Sequence, residues 1–131
     1  MFSEPGPPAQ TSATDADSAV PAAKVRPLRS RAHRYPFIAA AELVDVRTEE
    51  WFIHQTCDLS LFGCRLTYTG AFVSGMKVRI KITYRGAHFH ALAKVAHVHR
   101  ESGIGIEFAI IEQRDLRVLE DWMCQLRNNR A

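Results

Sequence analysis

Asp58, Ser60 and Gly63 fall in the hexapeptide Asp58-Leu59-Ser60-Leu61-Phe62-Gly63. An Asp-x-Ser-x-x-Gly spacing sets a carboxylate and a hydroxyl on one side of an extended segment. It follows them with a residue that can take a positive φ or admit a ligand to the backbone. The carboxylate accepts hydrogen bonds from N–H donors, and the hydroxyl either bonds a ligand or orients the loop. Upstream, Lys24, Arg26, Arg29, Arg31 and Arg34 stand with His33 and no acid between them. That density of positive charge attracts an anionic ligand.

Other reactive side chains lack the frame their chemistry needs. His88 and His90, and again His97 and His99, form two HxH pairs. The pairs fall on even and odd positions, so on one continuous strand they face opposite sides, and no four-ligand metal site is expected. Ser60, Ser74, Cys57 and Cys64 lie in no nucleophile elbow, and an enzyme is not expected. Gly103-Ile104-Gly105 reads as a closely packed strand, not a phosphate loop. Cys57, Cys64 and Cys124 are an odd number in no CxxC spacing, which predicts reduced, packed thiols and no zinc site.

The elements that must position these residues follow from the hydropathy pattern. Residues 1–25 are rich in Pro, Ala, Ser and Thr with few large apolar side chains, and read as a disordered tail. Because the whole chain carries +3 and its first 23 residues carry −3, the rest carries +6. Residues 26–131 read as one domain. Period-two alternation predicts strands over roughly 37–45, 50–57, 64–68, 76–84, 89–95 and 104–108, with turns at Arg47-Thr48, at the Asp58–Gly63 hexapeptide and at Arg85-Gly86. Met76, Val78, Ile80, Ile82 and Tyr84 share one face, with Lys77, Arg79, Lys81 and Thr83 on the other. Leu116, Leu119, Trp122, Met123 and Leu126 recur at helical spacing. The predicted fold is mainly β: a small six- to seven-stranded antiparallel barrel with a C-terminal α-helix, since closure removes exposed strand edges. No apolar run is long enough to span a bilayer, and the first residues carry no basic and apolar leader pattern, so a cytoplasmic location without membrane insertion is expected.

The order of these parts resembles the PilZ-domain family, β-barrel receptors for the bacterial second messenger cyclic di-GMP. The resemblance covers about residues 26–127 and rests on the segment RPLRSRAHRYPF, on DLSLFG followed by Cys64-Arg65-Leu66, on the strand start Gly75-Met76-Lys77-Val78, on GIGIEF and on LEDWM. It implies a ligand held by an RxxxR motif and a [D/N]xSxxG turn. The second is complete as Asp58, Ser60 and Gly63. In the first, Ser30 stands four residues before Arg34, flanked by Arg29 and Arg31.

The implied site is therefore Arg29, Arg31, Arg34, Asp58, Ser60 and Gly63. Guanidinium groups bond phosphates and the guanine O6/N7 edge bidentately and stack on bases, and Asp58 can accept guanine N–H donors. The resemblance further implies a receptor that orders its arginine-rich segment on binding and signals to a partner protein in motility, adhesion or exopolysaccharide control. The alternative is a PilZ-like interaction module that does not bind the nucleotide. No cofactor beyond this ligand is expected. Phe89 and Tyr84 sit on core-facing positions, so no aromatic stripe for DNA or RNA is predicted.

Overall fold

Alternation along Lys77–Tyr84 buries Val78, Ile80 and Ile82 on one face and leaves Lys77 and Arg79 in water. The same rule, applied strand after strand, builds a barrel in this computed structural model, which describes residues 23–25 and 33–129. The strands are β1 (Ala23–Val25), β2 (Tyr35–Pro36), β3 (Ala40–Asp45), β4 (Trp51–Leu59), β5 (Gly63–Leu66), β6 (Lys77–Tyr84), β7 (Ala87–His99) and β8 (Gly103–Glu112). The chain ends in helix α1 (Gln113–Asn129).

Every pairing is antiparallel. The order β8-β5-β4-β3-β6-β7 closes when β7 pairs with β8, giving the six-stranded barrel that the alternation predicts. β1 pairs with the far end of β8, and β2 with the end of β4. Arg85 and Gly86 both take positive φ, 52° and 81°, the backbone of a two-residue hairpin turn whose twist matches its strands.

Aromatic side chains fill both ends. Trp122 of α1 packs against Phe37, Tyr84 and Phe89, with ring centroids 5.5, 5.8 and 6.3 Å apart. Phe72, in the loop between β5 and β6, is buried against Phe52 and His54. That burial lowers the pKa of His54 by desolvating its charged form. Asp115, in the first turn of α1, is buried and accepts the backbone N–H of His90 at 2.9 Å, close to where β8 gives way to the helix.

Some local expectations change. The tail expected over residues 1–25 lies outside the described residues except for its last three, which form β1 and pair with β8. The third expected strand stops at Leu66, and Tyr68 is exposed rather than core-facing. β4 runs two residues further than expected and takes in Asp58 and Leu59. Among the thiols Cys64 is buried and Cys57 half-buried, but Cys124 is exposed on the helix, not packed.

Candidate functional site

Thr56 fixes the segment that approaches the site. Its buried hydroxyl donates to the Phe37 carbonyl at 2.5 Å and accepts from the Ala39 N–H at 3.0 Å, bridging the gap between β2 and β3. Next to it the pairing of β4 with β5 shifts by one residue: Thr56 faces Leu66, but Asp58 faces Arg65. Cys57 is the extra residue of this bulge, which changes the face to which following side chains point. Leu59 thereby joins the core opposite Cys64, and Asp58 shares the outer face with Arg65. Asp58 is therefore a strand residue, not part of the turn.

The turn itself is Ser60-Leu61-Phe62. The Ser60 Oγ is buried, accepts the N–H groups of Phe62 and Gly63 at 3.1 and 3.2 Å, and donates to the Gly63 carbonyl at 3.3 Å. These bonds make Ser60 the brace of the loop. Gly63 is required by packing: a Cβ there would lie 2.0 Å from the Ile106 carbonyl oxygen of β8. The Phe62 carbonyl accepts the Phe108 N–H at 2.8 Å and ties the turn to the same strand.

Two arginines converge on Asp58. Arg34 Nη1 donates to Oδ1 at 2.9 Å, and Arg65 Nη2 lies 3.2 Å from Oδ2. The Asp58 side chain is 12% exposed, against 50% for Arg34 and 39% for Arg65. The Nε of Arg65 is buried and has no acceptor within hydrogen-bond distance. Asp58, Ser60, Gly63 and Arg34 are thus brought together, while Arg29 and Arg31 lie outside the described residues. Arg65 was not among the residues expected from sequence, although a tight turn centred on Leu61 and Phe62 pairs it with Asp58.

The histidine pairs obey a different geometry from the one expected. β7 carries a bulge at Ala96, where Gly105 faces His97 but Ile106 faces Val95. Phe89, Ala91, Ala93 and Val95 point inward before the bulge, and all four histidines are exposed. His90 and His97 are nonetheless about 23 Å apart along the strand. Among the described residues no group of three or more His, Cys, Asp or Glu is placed to hold a metal ion. No helix among them is long and apolar enough to cross a membrane.

Comparison with known proteins agrees with this architecture. The PilZ domain family model matches residues 28–125. The fold is similar to the crystal structure of the PilZ domain of CeSA from a cellulose-synthesising bacterium, with a TM-score of 0.57 and 15% sequence identity over 70% of this chain and 98% of that one. No curated protein matches the chain. With a family match over most of its length and the barrel, turn and C-terminal helix in order, the chain belongs to the PilZ domain family.

Proposed function

We propose that the chain is a non-catalytic cyclic di-GMP receptor of the cytoplasm, with Arg29, Arg31, Arg34, Asp58, Ser60 and Gly63 as its binding residues. The observation that carries the reading is the Arg34–Asp58 ion pair at 2.9 Å beside the Ser60-braced turn. It joins the arginine-rich segment to the Asp-x-Ser-x-x-Gly motif from a distant part of the chain. A half-exposed guanidinium suits a phosphate or the O6/N7 edge of guanine, and the carboxylate suits guanine N–H donors. Arg29 and Arg31 add charge on either side of Ser30. Neutralisation of these arginines by the dinucleotide orders the segment against the barrel, and the new surface engages an effector protein.

Isothermal titration of cyclic di-GMP, with GTP and linear pGpG as controls, tests the reading. Selective binding of the cyclic dinucleotide, weakened by about tenfold or more in Arg34→Ala and in Asp58→Ala, is the expected result. Folded variants that bind as tightly as the parent would remove the assignment.

A second reading, an interaction module without nucleotide, draws on the outer face of the barrel. Trp51 and Ile53 are exposed there, and Trp51, Leu92 and Ile110 line a groove of about 460 Å³. Exposed apolar surface of this kind marks protein contacts. No binding of cyclic di-GMP by the folded protein favours this reading.

A further inference from the structure

We infer that Arg65 is a further ligand-contacting arginine of this site, which leaves Asp58 for a phosphate of the bound dinucleotide. The inference rests on the proposed cyclic di-GMP reading and deepens it. Arg65 stands directly opposite Asp58 in the β4–β5 ladder, so both side chains occupy one face of the barrel. Its guanidinium is only partly used there. Nη2 meets Oδ2 at 3.2 Å, while Nε is buried without an acceptor. Nε–H and Nη2–H together form the edge of arginine that grips a phosphate or a guanine O6/N7 pair with two parallel bonds. Asp58 fills half of that edge.

The carboxylate supplies the other half of the argument. Both oxygens of Asp58 already face arginine, Oδ1 through Arg34 and Oδ2 through Arg65. The adjacent N1–H and N2–H donors of a guanine need one lone pair on each oxygen of a carboxylate; Oδ1 can keep Arg34 on its other lone pair, so only the contact at Oδ2 has to give way. Arg65 is the arginine that gains by yielding. Its contact is the longer of the two, 3.2 against 2.9 Å, and its Nε lacks an acceptor. Once Arg65 swings outward from Asp58, its Nε, buried while the ion pair holds, becomes accessible, and a phosphate beside the guanine offers that edge two oxygens at once. The exchange swaps one ion pair for a guanine–carboxylate pair and a bidentate arginine–phosphate pair, with no charge left uncompensated. No covalent bond changes.

Titration of cyclic di-GMP into the parent chain, Arg65→Ala, Arg65→Lys and Arg34→Ala separates this inference from the reading beneath it. Arg65→Lys keeps the counter-charge beside Asp58, and so keeps the fold, but has no fork. The expected result is binding by the parent, weakened by about tenfold or more in both Arg65 variants. In parallel, the Arg65 Nε–H resonance of the parent shifts downfield during the titration as that proton acquires an acceptor. If both Arg65 variants bind within about twofold of the parent while Arg34→Ala is weakened, Arg65 is only the structural counter-ion of Asp58; the inference falls and the receptor reading stands. If the folded parent does not bind cyclic di-GMP, both fall.

Discussion

Cys64 pairs with Leu59 across β4 and β5, fully buried on the core side of the strand that carries Arg65 on its outer face. Burial, and then the negative charge of Asp58, push its thiol pKa well above the ordinary value of 9.0. A raised folded pKa leaves stability intact below the unfolded value. Above it the unfolded chain loses its proton while the folded chain keeps it, so stability falls as pH rises. In urea titrations between about pH 9 and pH 11 the parent is therefore expected to lose stability more steeply than Cys64→Val, by up to about 1.4 kcal/mol per pH unit. Equal slopes would mean that Cys64 ionises freely in the folded barrel. Thiol labelling gives an independent reading of the same burial. Cys124, exposed, is expected to react in the native protein, and buried Cys64 only on unfolding.

At the scale of the element, one hydroxyl reinforces the backbone pairing that brings β2 to β4. Replacing Thr56 by the isosteric Val leaves the buried Ala39 N–H and Phe37 carbonyl without their side-chain partner. The expected loss is about 1–3 kcal/mol, read as a lower urea midpoint with an unchanged slope. Ligand affinity falls with it, because Arg34 immediately precedes β2 and is aligned with Asp58 by that strand. A midpoint equal to the parent's would show that the backbone bonds from Phe37 to Cys57 and from Thr56 to Ala39 suffice. The strands themselves were readable because alternation in β6 and in the first part of β7 reports directly which face is buried. The bulges at Cys57 and Ala96 were not. Each depends on the partner strand's register rather than on the local sequence, and each reverses the side-chain pattern that follows. On one continuous strand the two histidine pairs face opposite sides, and only the bulge at Ala96 brings all four outward. The motif residues Asp58, Ser60 and Gly63 were legible from spacing, but the reason for Gly63 lies in Ile106, more than forty residues away in the chain. Phe72 and Asp115 likewise acquire their roles only from tertiary neighbours.

At the scale of the molecule, the receptor proposal joins the +6 carried after the first 23 residues and the Arg34–Asp58 ion pair to a testable change in the segment before Arg34. A ligand that binds only the folded state stabilises it by about 2.7 kcal/mol at one hundred times its Kd, wherever it binds. A thermal shift therefore reports occupancy but not the proposed ordering. Limited trypsin digestion separates the two, because Arg29 and Arg31 belong to the segment whose ordering is proposed while Arg127 lies in the last turn of α1. At saturating cyclic di-GMP, cleavage after Arg29 and Arg31 is expected to slow by about tenfold or more relative to cleavage after Arg127, and GTP at the same concentration leaves the ratio unchanged. Uniform slowing at all three positions is global stabilisation without segment ordering. An unchanged ratio in the presence of a clear thermal shift would leave the receptor intact and remove the disorder-to-order step, so that signalling would have to pass through the preformed face of the barrel.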